Sequence, residues 1–254
     1  MPLSQNTAPG YGALLLRGLL AGLIAGLLAG LFAYAFGEPK VDAAIAIEEA
    51  AAHATAEPSH HDDALVSRTG QKGGLFLATG LYGIAMGGLL ATAYTLLRRR
   101  LRTPDDTRAV FGLAGAALLG MVLVPFVKYP PNPPAVGDPS TINQRTISYL
   151  AILVIGLVAV WAAVVAYRSP RTGSPEWLRA IAGIAGFLIV VTIGYVLLPN
   201  IDEVPDTFPP SLLYTFRITS LGTQVVLWTT LGLAFAALLT RQTARRPERV
   251  TADV

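Results

Sequence analysis

Six apolar runs separated by polar or proline-rich segments dominate the chain: Leu14–Phe36, Gly74–Leu97, Val110–Val127, Ile147–Tyr167, Trp177–Leu198 and Ser211–Leu239. As α-helices rising about 1.5 Å per residue, each run is long enough to cross roughly 30 Å of hydrocarbon. The pattern predicts an all-α integral membrane protein with six transmembrane helices. Residues 1–254 then form a single integral membrane domain ending in a basic tail over 240–254. The stretch 125–146, between the third and fourth runs, holds six of the eighteen prolines. Pro130, Pro131, Pro133 and Pro134 lack N–H donors and bias their neighbours towards extended backbone, so no helix crosses here. The stretch reads as a rigid cap that fixes the third and fourth spans.

Charge orients the spans. The N-terminus, the 98–109 loop, the 168–179 loop and the tail carry thirteen of the nineteen basic residues. By the positive-inside rule both termini are cytoplasmic, and the loops over 37–73, 128–146 and 198–210 face outwards. Eleven of the sixteen acids fall in those outer loops, a field that attracts cations. Ala33-Tyr34-Ala35 resembles a signal-peptidase site, but the first run is long for a signal peptide and is read as a retained span.

Composition narrows the function. Only 14% of residues are charged, against about 25% in typical soluble domains. The absence of cysteine rules out disulfides and thiolate metal sites. The pI near 9.3 reflects arginines at helix ends; no basic stripe interleaved with aromatics points to nucleic acid. A phosphate-binding loop, a helical His-Glu-x-x-His and a Gly-x-Ser-x-Gly elbow are all missing, so neither an enzyme nor a tightly bound cofactor is expected.

Candidate chemistry sits in the polar loops. All three histidines, His53, His60 and His61, fall within nine residues of the first outer loop. Glu49, Asp62 and Asp63 accompany them. Imidazole with carboxylate suits a borderline divalent cation such as Co²⁺, Ni²⁺ or Zn²⁺. A solvated acidic loop with incidental histidines is the alternative. The alanine-rich part of this loop predicts a short helix lying at the interface and ending before Pro58, with Glu49 and His53 on one face. Lys128, in the second loop, lies at the membrane boundary, where snorkelling is the ordinary role. Arg68, Arg145 and Arg217 stand at or just inside the starts of the spans that follow the three loops. Arg217 is costly at its depth unless paired, and Asp202, Glu203 and Asp206 are the nearby acids. Its role is either a structural ion pair or a place on a translocation path. Gln224 follows two turns later on the same helix face. In the first span Gly18, Gly22, Gly26 and Gly30 recur every four residues, a smooth stripe for close helix contact or for a separate subunit.

The glycine-striped first span, the His/acid loop closing on Val-Ser-Arg68, the block Val-Pro-Phe-Val-Lys-Tyr-Pro-Pro-Asn-Pro-Pro and the segment Phe-Arg217-Ile-Thr-Ser-Leu-Gly-Thr-Gln resemble CbtA, a family of predicted cobalt transporter subunits. The likeness runs over roughly 12–240. It implies a multi-pass protein of the bacterial inner membrane, associated with cobalamin biosynthesis. It also implies a small one-span partner, CbtB, with histidines near one end. This chain carries only His53, His60 and His61, where some members have a longer histidine run. The expectation is a subunit for cobalt uptake, with Co²⁺ or Ni²⁺ collected at the outer face. The alternative is a non-transporting scaffold that docks the histidine-bearing partner. A homo-oligomer within the lipid bilayer is compatible with either.

Overall fold

The computed structural model describes residues 10–54, 67–101, 103, 105–137, 139–171 and 173–244. They form helices α1 (Tyr11–Phe32), α2 (Glu38–Ala54), α3 (Arg68–Leu97), α4 (Asp106–Ala117), α5 (Val124–Lys128), α6 (Ile142–Arg168), α7 (Glu176–Leu197) and α8 (Pro210–Ala244). π-helical turns over Ala33–Gly37 and Leu118–Leu123 join α1 to α2 and α4 to α5, and no strand occurs among the described residues. Six stretches are long and apolar enough to cross a membrane: Tyr11–Ala51, Arg68–Leu97, Asp106–Lys128, Ile142–Arg168, Glu176–Leu197 and Pro210–Thr240. The chain is a multi-pass membrane protein. Each stretch contains one of the six apolar runs, apart from Leu198, which caps α7.

Both π-helical turns end two residues before a proline inside the continuing helix, Gly37 before Pro39 and Leu123 before Pro125. A proline ring clashes with the carbonyl four residues earlier and removes the N–H that would have bonded to it. Those carbonyls belong to Ala35 and Met121, both within the π turns, whose wider winding makes room for the ring. The alanine-rich segment therefore departs from the expected separate interfacial helix. It continues α1 as one helix over Tyr11–Ala51, 41 residues long.

The chain divides into two compact units. The first draws on residues 10–34, 67–115 and 225–244. Its centre is an antiparallel seam between α1 and α3. Gly18 faces Gly87 and Ala91, Gly22 faces Gly83, and Gly26 faces Thr79 and Gly80. The stripe read from the sequence is thus occupied by a helix of the same chain. Tyr11 and Thr92 share a hydrogen bond of 3.1 Å at one end, and the Tyr34 and Phe76 rings meet at 5.8 Å at the other. The C-terminal half of α8 adds Leu231 and Phe235, both fully buried, with Phe235 edge-on to Tyr94. Gly232 lies against Phe111 and Ala114 of α4.

The second unit draws on residues 35–54 and 116–224. Gly120 and Gly156 bring the second π turn onto α6, and Gly183, Gly186 and Gly194 bring α7 onto α6. Ile152 and Ala159 are fully buried in α6. The second and third polar loops both belong to this unit.

Candidate functional site

The proline-rich loop and the loop over 198–210 are joined residue by residue in the second unit. α5 ends at Lys128 because Pro130 keeps the preceding Tyr129 out of helical backbone. That end point sets two side chains against the C-terminus of α7. Lys128 Nζ donates to the Tyr195 carbonyl at 3.0 Å and to Asn200 Oδ1 at 2.6 Å. The last four carbonyls of a helix lack intrahelical partners and carry partial negative charge, so an ammonium is well placed there. Lys128 thus caps a neighbouring helix rather than only reaching towards lipid headgroups. The Tyr129 hydroxyl donates to the Pro199 carbonyl at 2.7 Å, and the Tyr195 hydroxyl donates back to the Val124 carbonyl at 2.6 Å. Tyr129→Phe removes one neutral hydrogen bond, so a loss of about 1 kcal/mol is expected. It would be read as a fall in Tm of about 2–4 °C in detergent.

A second set of contacts closes the far end of the same loop. Arg145 Nη1, on the first turn of α6, reaches Glu203 Oε2 at 2.9 Å, and the Thr141 hydroxyl donates to the other carboxylate oxygen. Gly137 has a φ of +135°, and a β-carbon there would lie 2.5 Å from Arg145 Nη1. The guanidinium approaches the backbone where only glycine leaves space and conformational freedom.

Arg217 lies on the second turn of α8. Its Nη2 donates to Asn132 Oδ1 at 2.8 Å, while its Nε is buried without a hydrogen-bond partner among the described residues. Of the three acids expected near it, Asp202 is exposed and shares no hydrogen bond or ion pair with it among the described residues. Glu203 instead serves Arg145 and Thr141, and Asp206 is exposed. Gln224 Oε1 is likewise buried without a partner among the described residues. Asn132 is the contact that charge-based reading misses. The available signal is its position between Pro131 and Pro133, which hold an amide side chain on a backbone of little freedom.

The first loop contributes less to this description. Glu49 is exposed on α2, and His53 stands one turn further along the same helix. His60, His61, Asp62 and Asp63, together with the His53 side chain, lie outside the described residues. Among the described residues no group of three His, Cys, Asp or Glu side chains could hold a metal ion.

Elsewhere, in the first unit, Arg98 donates to Asp106 and to the Thr103 carbonyl, closing the loop between α3 and α4. The hydrogen bond to Asp106 holds the Arg98 pKa above its ordinary value, so the guanidinium stays charged at any physiological pH.

A family model described as "Probable cobalt transporter subunit (CbtA)" covers residues 11–240. No curated protein and no solved structure matches the chain.

Proposed function

The chain belongs to the CbtA family of probable cobalt transporter subunits, and from that premise we propose that it is the membrane subunit of a cobalt uptake system linked to cobalamin biosynthesis. The family match over 11–240 carries the reading, because it spans all six apolar helices and the polar loops between them. In this reading the helices cross the bacterial inner membrane with both termini cytoplasmic, as the arginine distribution favours. Co²⁺, or Ni²⁺ as a chemically similar ion, is collected at the outer face by His53, His60, His61, Asp62 and Asp63, with Glu49 nearby. It then passes the joined second and third loops near Asp202, Arg217 and Gln224. A small one-span subunit of the CbtB type supplies further histidines.

The scaffold reading loses one of its two supports. It needs the glycine stripe as a docking face for a partner, and that stripe is packed against α3 within the chain. The outer loops alone remain for it.

The test is cobalt accumulation at limiting external Co²⁺ in cells expressing the full chain with and without a co-expressed one-span protein of the CbtB type. Replacing His53, His60 and His61 together by alanine is expected to lower accumulation by about tenfold, in line with the effect of losing groups that hold a metal. Unchanged accumulation removes the first loop from the mechanism. Equal accumulation in cells with and without the wild-type chain removes the uptake reading itself.

A further inference from the structure

The turn between α6 and α7 gathers positive charge that no acid balances. Arg168 ends α6, Arg171 lies in the turn and Arg179 stands on the first turn of α7, three arginines within twelve residues. α6 and α7 run antiparallel in close contact. A β-carbon on Gly186 would meet Ala162 and Ala166, and one on Gly183 would meet Ala163 and Tyr167. Arg179 precedes Gly183 by one helical turn on the same face of α7, so it lies against the end of α6, where Arg168 and the turn begin. The turn is short and stiff. Pro170 and Pro175 flank it, Gly173 takes a φ of +98°, and the Ser174 N–H donates to the Arg171 carbonyl at 3.0 Å.

Arg179 Nε is enclosed and has no hydrogen-bond partner among the described residues. The two terminal nitrogens of this half-buried side chain are not enclosed, and they too make no hydrogen bond or ion pair among the described residues. Glu176, the one acid of the turn, is exposed and forms no ion pair among the described residues. α7 has Pro175 as its N-cap and no side-chain cap, so the N–H groups of its first turn also lack a side-chain acceptor. Tyr167 and Trp177 are exposed at this end of the two helices, as aromatic rings are where a span meets the lipid headgroups.

We propose that the α6–α7 turn binds the phosphate of one anionic membrane phospholipid, with Arg179 as the central contact and Arg168 and Arg171 beside it. A guanidinium presents phosphate with parallel N–H donors, and the two unengaged terminal nitrogens of Arg179 supply them. The positive end of the α7 dipole acts in the same direction. The bound phosphate supplies the countercharge that Glu176 does not. The aromatic rings set the depth of the turn at the headgroups, which selects a lipid over a phosphate free in solution. A loop that merely carries excess arginine orients a span without holding a defined ligand. Here the packed helix ends and the two prolines hold the arginines at one place.

The test is native mass spectrometry of the purified full chain in detergent, titrated with phosphatidylglycerol. Arg179→Gln is expected to bind the lipid about tenfold weaker than wild type, the loss of one charge-assisted contact. Arg179→Lys, which keeps the charge and loses the fork, is expected to bind about threefold weaker. Phosphatidylcholine, whose phosphate is balanced by its own ammonium, is expected to bind about tenfold weaker than phosphatidylglycerol. Arg99→Gln, from the other arginine-rich loop, is expected to stay within about twofold of wild type. Equal affinity in Arg179→Gln and wild type overturns the proposal, and so does an equal loss in Arg99→Gln, which would mark a diffuse basic attraction. Displacement of the lipid by millimolar inorganic phosphate overturns the choice of a lipid. Arg171→Gln, at an exposed position of the turn, keeps the question answerable if Arg179→Gln does not fold. It is expected to bind about threefold weaker, and unchanged affinity there also overturns the proposal.

Discussion

Replacing Gly87 by leucine is expected to leave little folded protein. A β-carbon at Gly87 falls on the carbonyl oxygen of Gly18 and 2.9 Å from Gly22 Cα. These are backbone atoms of another helix, not the flexible end of a side chain, so relief requires α1 and α3 to separate. Their seam runs in register from Gly18 to Gly30, and separation at one point strips contacts along its length. Lipid tails are as apolar as leucine, so close packing rather than water exclusion holds two such helices together. Overpacking usually costs about 1–3 kcal/mol. Overlap of backbone on backbone should exceed that and reach roughly 4 kcal/mol, a large share of a total stability of about 5–15 kcal/mol. The measurement is the monodisperse fraction in detergent gel filtration after a graded heat step. Gly112→Leu is the control, because a β-carbon there meets nothing within 4 Å. Equal recovery of the two variants would refute the seam as a structural element.

The six spans were legible because crossing a bilayer demands long unbroken apolar runs, a signal that accumulates over some 20 residues. The seam was only half legible. A four-residue glycine spacing marks a smooth face on α1, but choosing its partner needs tertiary information. α3 carries Gly80, Gly83, Gly87 and Gly88, so its spacing offers more than one smooth face. Proline misleads for a different reason. Sequence reading takes it as a helix stop, as it is in the run Pro130 to Pro134, yet Pro39 and Pro125 sit inside helices. The relief comes from a local widening of the backbone, which no residue type at those positions announces. In the candidate site, charge alone assigns three acids to Arg217. The fold gives Glu203 to Arg145 and gives Arg217 a neutral amide, because the rigid proline frame brings Asn132 within reach first. A hydrogen bond between a charge and an amide leaves no trace in a charge pattern. The spacing of His53, His60 and His61 remains sequence evidence alone.

Glu203→Gln should be among the most damaging single changes in the joined loops, and its effect separates a structural ion pair from an incidental one. The Glu203 side chain is 10% exposed and that of Arg145 35%. Breaking a buried pair costs about 3–5 kcal/mol. The exposed third of Arg145 lets water compensate part of this, so a loss of about 2–3 kcal/mol is expected. That corresponds to a fall in Tm of about 5–10 °C for a chain of this size. The Thr141 hydroxyl loses a charged acceptor at the same time, and Gly137 offers no side chain to replace it. Arg145→Met should cost at least as much, because it leaves a carboxylate in a nearly closed place without its guanidinium partner. The double variant Arg145→Met with Glu203→Gln should recover about 1–2 kcal/mol relative to the sum of the single losses. Strictly additive losses would sink the pair as a coupled unit. High salt should not imitate the Glu203→Gln loss, because a pair with one partner this enclosed is only weakly screened. Cobalt accumulation should fall with Glu203→Gln more than its stability loss alone explains. Glu203 anchors the loop between α7 and α8 to α6, so on the proposed uptake function loosening it disturbs the outer loops as well as the fold.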